Sequence, residues 1–503
     1  MADSDNKKLG VIALAALVVS AMVGGGIFSL PQNMAQGAGV VAVMIAWGIT
    51  GVGMYFLANT FRTLAEARPD ATTGIYAYAR LGFGRFAGFQ MAWAYWLCNI
   101  FGNVGYAVLL MDAFNYFFPG TFTGGNNLAS IICGSLVIWL MNFLVLRGVT
   151  QAASVNTIGT ICKLVPLAIF IIVMIFVFHW SIFTTDMLGD ATIKADNLKP
   201  LGGLLPQIKS TMLVTLWAFI GIEGAVVVSG RAKSQSAVGK ATLIGFLGCL
   251  AVYAALSILP FGRMYQSELS ALSNPSTAPL LSDVVGNWGG WVMNLGVIIA
   301  LLTSWLAFTI MIAQIPYAAA LDGTFPKIFT RENRNGSPQV SLWVTSALMQ
   351  LTILFVMFAS NAWNTMLSIT SVMILPPYLA CTAYLVKLCV TKKYPKDLNN
   401  KALPNSGFAL ICGALGSIYA LWMIYAAGIQ YLFMTFVFLA LGIPVFIWAR
   451  WDDRKALKSA GANGTAGADT DKFFTKPELI AAILIALVGI VAIVEFALGK
   501  VDL

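Results

Sequence analysis

Gly24-Gly25-Gly26-Ile27-Phe28-Ser29-Leu30-Pro31 interrupts an apolar run that extends from Leu9 to Val23, and its reading decides the fold. Three glycines and a proline are poor helix formers in any setting. Within a bilayer, unwound backbone is tolerated only where it is buried in protein or lines a cavity. N–H groups freed at such a break, at a half-helix N-terminus, form a ready site for a carboxylate or another anion. A second interruption stands at Phe219-Ile220-Gly221-Ile222-Glu223-Gly224. Two broken helices at corresponding places in two halves point to a secondary transporter and to its substrate site.

The rest of the composition agrees with a membrane setting. Of 503 residues, 59% are hydrophobic and 10% charged, against roughly 25% charged in an average soluble protein; the mean hydropathy is +0.81. Runs long enough to cross a ~30 Å hydrocarbon core lie near 9–36, 39–61, 86–117, 127–146, 154–178, 207–230, 238–261, 286–321, 340–360, 363–389, 406–427, 429–449 and 477–498, thirteen in all. The first run continues through Pro31 without a short apolar region and a small-residue cleavage site, so no cleaved signal peptide is expected. With the N-terminus inside, 24 Lys and Arg fall in inner segments and 4 in outer ones, the distribution that the positive-inside rule demands. The net charge of +9 then faces the cytoplasmic leaflet, and nucleic acid need not be invoked as a partner. Seven cysteines are scattered through the spans without a CxxC pair and read as small apolar residues.

The expected fold class is an all-α integral membrane protein with an inverted 5+5 helix repeat, broken helices 1 and 6, and three extra C-terminal spans. Residues 1–178 form the first repeat and 207–389 the second, separated by an extracytoplasmic loop at 179–206. Residues 406–449 make two peripheral spans, 450–476 a cytoplasmic linker and 477–498 the last span. The linker contains Gly461-Ala462-Asn463-Gly464-Thr465-Ala466-Gly467, a composition typical of a flexible segment. The repeat is inferred from topology and the two breaks, because the halves share no residue-level identity.

Several side chains stand out chemically. Glu223 is a carboxylate in mid-span, which costs roughly 2.5–3.5 kcal/mol on insertion scales; it either couples protonation to transport or caps backbone N–H groups freed by the break. Lys163 either replaces a coordinating cation beside the first break or snorkels to the inner face. Asn99, Asn103 and Tyr106 share one helical face, suited to a polar ligand head or to interhelical hydrogen bonds. Trp217 and Phe308 read as apolar-helix aromatics from pattern alone. No GxxxxGK[ST] loop, HExxH, GxSxG or Cys/His cluster occurs, so neither ATP, a metal, a cofactor nor an enzymatic centre is expected.

Val19–Pro31 resembles the first helix of the amino acid–polyamine–organocation superfamily, and Gly74-Ile75-Tyr76-Ala77-Tyr78-Ala79-Arg80, followed by Phe83-Gly84-Arg85-Phe86-Ala87-Gly88-Phe89, also resembles that superfamily. Trp217–Glu223 is similar to the superfamily's sixth helix, and Leu321-Asp322-Gly323-Thr324-Phe325-Pro326 to the end of its eighth. The nearest branch is that of basic amino acid/polyamine antiporters. The resemblance implies that backbone at Gly24, Gly25 and Gly26 holds a substrate carboxylate. Carbonyls near Met22, Trp217 and Ile220 are implied to hold its α-amino group. Trp217 is implied to gate the site, and Asn103, Phe308 and Thr370 to lie at the substrate side chain; Asn99, a substrate-site candidate on the same face as Asn103, replaces a cysteine of the arginine/agmatine exchanger. Glu223 matches a pH-sensing glutamate, and Lys163 a lysine at a sodium position, which implies sodium-independent transport. Phe308 replaces a tryptophan of the arginine/agmatine exchanger, and phenylalanine stacks less well on a guanidinium.

The function expected on this basis is exchange of extracellular arginine for intracellular ornithine across a bacterial inner membrane. The alternative within the class is an amino acid against its decarboxylation product, such as histidine/histamine or lysine/cadaverine. From another class, a non-transporting amino acid sensor is the competing reading. The implied partners are small amino acids and the lipid bilayer, and a homodimer is compatible with this reading.

Overall fold

A computed structural model describes residues 11, 15, 19, 22–68, 71, 75–148, 153–189, 201–223, 235–395, 403–459 and 473–500. All regular structure among them is helical. Nine of these helices are long and apolar enough to cross a membrane: Val40–Ala67, Arg85–Asn115, Leu128–Leu146, Lys240–Gly262, Asn287–Leu321, Gln339–Val356, Ala362–Val390, Ser406–Lys455 and Lys476–Ala497. A shorter apolar helix, Ile161–Phe176, adds to them. The chain is therefore a multi-pass membrane protein.

Glycines with positive φ set several boundaries, because only a residue without Cβ takes that backbone without strain. Gly84 (φ 98°) precedes Arg85–Asn115 and Gly286 (φ 84°) precedes Asn287–Leu321. Gly428 (φ 82°) breaks the long 406–459 stretch into two parts, at the boundary expected between two spans. That helix runs on to Ser459, beyond the point where a linker was read. Arg450 and Asp453 pair across one turn there at 3.7 Å, and Asp452 accepts the amide of Lys327 at 3.0 Å. The glycine-containing part of that linker lies outside the described residues.

Arg85–Asn115 is the central strut. In its most apolar window 83% is buried, against 17% for Lys476–Ala497, which places the former at the core and the latter at the rim. The strut packs against Ala362–Val390, Asn287–Leu321 and Ile75–Phe83, whereas Lys476–Ala497 packs chiefly on the 406–459 helix. One end of the bundle is tied by Arg80 to Asp322 (3.0 Å) and by the Lys387 ammonium to the Gly82 carbonyl (2.6 Å).

At the opposite end, the segment between Gly262 and Gly286 carries two short helices, Gln266–Ser270 and Thr277–Val285, which the sequence reading did not foresee. They are fastened to the first broken helix. Ser276 Oγ accepts the Gln32 amide at 3.1 Å, and the Gln266 side chain donates to the Ala35 carbonyl at 2.6 Å.

Candidate functional site

The first break is visible in the backbone. Val23 and Gly24 are not helical; Gly24 is extended (φ −87°, ψ 176°), a 3-10 helix follows at Gly25–Ser29, and an α-helix resumes at Leu30–Ala35 with Pro31 in its first turn. Proline is tolerated there because that N–H has no intrahelical acceptor in any case. The second break begins where Leu204–Trp217 ends. Residues 218–223 form successive turns, with Ile220 N–H bonded to the Trp217 carbonyl at 3.1 Å and Gly221 at φ +105°. Residues 224–234 lie outside the described residues.

Between the two breaks is a cavity of about 40 Å³, lined by Met22, Gly24, Asn99, Asn103, Trp217, Ile220, Phe308 and Thr370. All eight are substrate contacts expected from the sequence. The lining also includes Tyr106, which shares the face of Asn99 and Asn103, together with Cys98, Gly102 and Ala218, which were not expected to touch substrate. Gly102 lies on that same face between Asn99 and Asn103, so the spacing contained that signal. Nothing in the sequence distinguishes Ala218 from a packing residue.

Gly25 and Gly26 are buried but do not line the cavity. Each makes room for a side chain from another segment. A Cβ on Gly25 would meet Leu301 at 2.4 Å; one on Gly26 would meet Trp217 at 2.0 Å and Trp363 at 2.5 Å. A Cβ on Gly24 would meet the Tyr106 hydroxyl at 2.8 Å.

The cavity wall includes three aromatic rings and two side-chain amides. Trp217 stands edge-on to Trp363 (centroids 5.4 Å apart), and Tyr106 edge-on to Phe308 (5.8 Å). The Asn99 side chain donates to the Tyr95 carbonyl at 2.7 Å, and the Cys98 thiol to the Thr370 carbonyl at 3.2 Å. Asn103 Nδ2 and Thr370 Oγ1 are buried, yet neither has a hydrogen-bond partner among the described residues. Buried polar atoms without partners are rare, and each calls for an explanation. Among the described residues, no charged side chain lines this cavity.

Glu223 is buried outside that lining. Its Oε1 accepts from the Tyr95 hydroxyl at 3.0 Å; its Oε2 accepts from the Tyr378 hydroxyl at 2.8 Å and from the Gly221 amide at 3.2 Å. The carboxylate thus caps the second break, the structural alternative raised for it, while tying the break to two other helices. Lys163 also lies outside the lining. It is buried, at 5% exposed.

Residues 9–450 match the family described as amino acid permease. Over 497 residues the chain is 56% identical to a protein of Clostridium perfringens named no more specifically than as an amino-acid transporter, covering 98% of this chain and 100% of that protein. It is 56% identical to an arginine/agmatine antiporter of Chlamydia caviae, covering 99% of this chain and 98% of the relative. With an arginine/agmatine antiporter of Chlamydia pneumoniae the identity is 54%, over 99% of both chains. A match over most of the length, in the presence of the two breaks and the cavity between them, makes this a transporter rather than an enzyme: the chain belongs to the amino acid permease family of the amino acid–polyamine–organocation superfamily.

Proposed function

We propose that this protein exchanges extracellular arginine for an intracellular amine, agmatine being the first candidate, by alternating access in a bacterial inner membrane. The observation that carries the reading is the cavity between the two breaks, where the Asn103 amide and Thr370 hydroxyl lack protein partners beside three aromatic rings. A carboxylate and α-amino group suit the backbone at Met22, Gly24 and Ile220. A flat guanidinium suits the faces of Trp217, Phe308 and Tyr106, with the Asn103 amide and Thr370 hydroxyl at its edge. A wall without a charged side chain among the described residues favours ligands that bring opposite charges of their own.

The names of the chlamydial relatives favour the decarboxylation-product class over the arginine/ornithine pair expected from the sequence. At about 40 Å³ the cavity has room for about three or four waters at roughly 10–15 Å³ of probe-occupied volume each. Substrate therefore enters as Trp217 and Phe308 swing aside. The same reading takes 1–178 and 207–389 as inverted repeats of five spans, the chain as thirteen spans with its N-terminus inside, and Lys163 as an internal cation that removes the need for sodium.

Counterflow in proteoliposomes tests both the class and the pair. Vesicles loaded with agmatine should take up labelled arginine without sodium. Because arginine carries one positive charge and agmatine two, an inside-positive potential should speed that exchange. Uptake driven only by internal ornithine and indifferent to potential would instead establish the electroneutral pair. Arginine binding without countertransport of either would overturn exchange and leave the sensor reading.

A further inference from the structure

The first broken helix carries a polar face that does not line the substrate cavity. From Ser29, at the end of the 3-10 turn, Asn33 and Gln36 follow four and seven residues on, and Gly26 precedes by three. That spacing puts the four on one side of the segment. Both ends of this side meet the start of Ala362–Val390. A Cβ on Gly26 would meet the rings of Trp217 and Trp363, and the Asn364 amide donates to the Gln36 side chain. The inner end is therefore the cavity wall at Trp217. The outer end is exposed at Gln36, about 15 Å away at 1.5 Å per residue.

Between those ends the face is buried and its hydrogen-bonding capacity is unused. Ser29 is 0% and Asn33 5% exposed. Ser29 Oγ, both polar atoms of the Asn33 amide, Trp363 Nε1 and Asn364 Oδ1 have no hydrogen-bond partner among the described residues. Such atoms weaken the packing of a dry seam, and each gains a partner once water or ligand reaches it. The adjoining face of the same helix is different: there the Gln32 amide and the Ala35 carbonyl are bonded to Ser276 and Gln266. We propose that the seam opens to the outer solution and holds a cationic amino acid or amine in passage, a staging site ahead of the central cavity, which rests on the exchange proposed above with the N-terminus inside. The Gln36–Asn364 hydrogen bond clasps it shut in this structure. The hydroxyl and amide oxygens accept from an ammonium or guanidinium, and the amide and indole N–H groups donate to a carboxylate. None of these residues is charged, so arginine and a doubly charged amine meet no repulsion from them.

Asn33→Leu and Asn33→Cys in the full-length protein test this. Leucine fills the same space without polar atoms. The melting temperature should hold or rise, while arginine–agmatine counterflow falls about tenfold, the scale of one hydrogen bond. In Asn33→Cys, a membrane-impermeant methanethiosulfonate added to intact cells should label the protein above the wild-type background, and external arginine should slow that labelling. Labelling needs no turnover. Its absence, in a protein whose wild type still exchanges, would overturn the seam alone; a wild type without counterflow would overturn the exchange instead. Counterflow unchanged in Asn33→Leu would overturn the staging site, and a melting temperature that falls together with counterflow would make Asn33 a packing residue.

Discussion

A methyl group on Gly26 would sit 2.0 Å from the Trp217 ring and 2.5 Å from that of Trp363, and neither ring has slack, since each packs against the other. Gly26→Ala should therefore cost about 1–3 kcal/mol of stability, the range for overpacking, and displace Trp217 from the cavity wall. Gly24→Ala meets only the Tyr106 hydroxyl at 2.8 Å, the far end of a side chain that can yield. Melting temperatures and arginine uptake of the two variants should rank Gly26→Ala as the more damaging; the reverse order would disprove this account of the glycines. The sequence made the glycine run conspicuous, but it could not say what approaches the backbone. A ligand and an indole edge demand the same absence of Cβ. Hence Gly25 and Gly26, expected at a substrate carboxylate, stand under Leu301 and Trp217 in the structure, while Gly24 borders the cavity.

The second break is held by side chains from two other helices. Tyr95 lies on Arg85–Asn115 and Tyr378 on Ala362–Val390, and both donate to Glu223, which also accepts its own segment's Gly221 amide. Glu223→Ala would leave three buried donors unsatisfied at about 1–3 kcal/mol each, so a loss of roughly 3 kcal/mol or more is expected. Glu223→Gln retains an oxygen, and a tyrosine hydroxyl can reverse to accept from the new amide, so its loss should stay near 1 kcal/mol. Thermal unfolding in detergent measures the difference; equal losses would mean that these hydrogen bonds do not hold the break. The long helices were legible because twenty apolar residues without charge admit few other structures. Gln266–Ser270 and Thr277–Val285 were not, because helices this short carry no resolvable period and are held by contacts with Gln32 and Ala35 far away in sequence. The face of Arg85–Asn115 was half legible: amides at 99 and 103 drew notice, whereas Gly102 between them did not.

At the scale of the molecule, burial falls from the strut at Arg85–Asn115 to the rim at Lys476–Ala497. Ending the chain after Ser459 should leave arginine counterflow intact. It should lower the melting temperature by the equivalent of about 1.5–3 kcal/mol, because the Phe86 amide loses its charged acceptor Glu478; loss of counterflow in a still-folded truncation would make the last helix part of the transport machinery. The indole of Trp217, which stands where the second break begins, rests on bare backbone at Gly26, inside the first. Two hinges that mesh without clearance behave as a gear pair, so neither turns while the other stays still. If the protein exchanges as proposed, slippage, in which an empty carrier returns or one face opens before the other has shut, would lack a mechanical route. One-for-one stoichiometry would then follow from how the two breaks interlock, as much as from what the cavity binds.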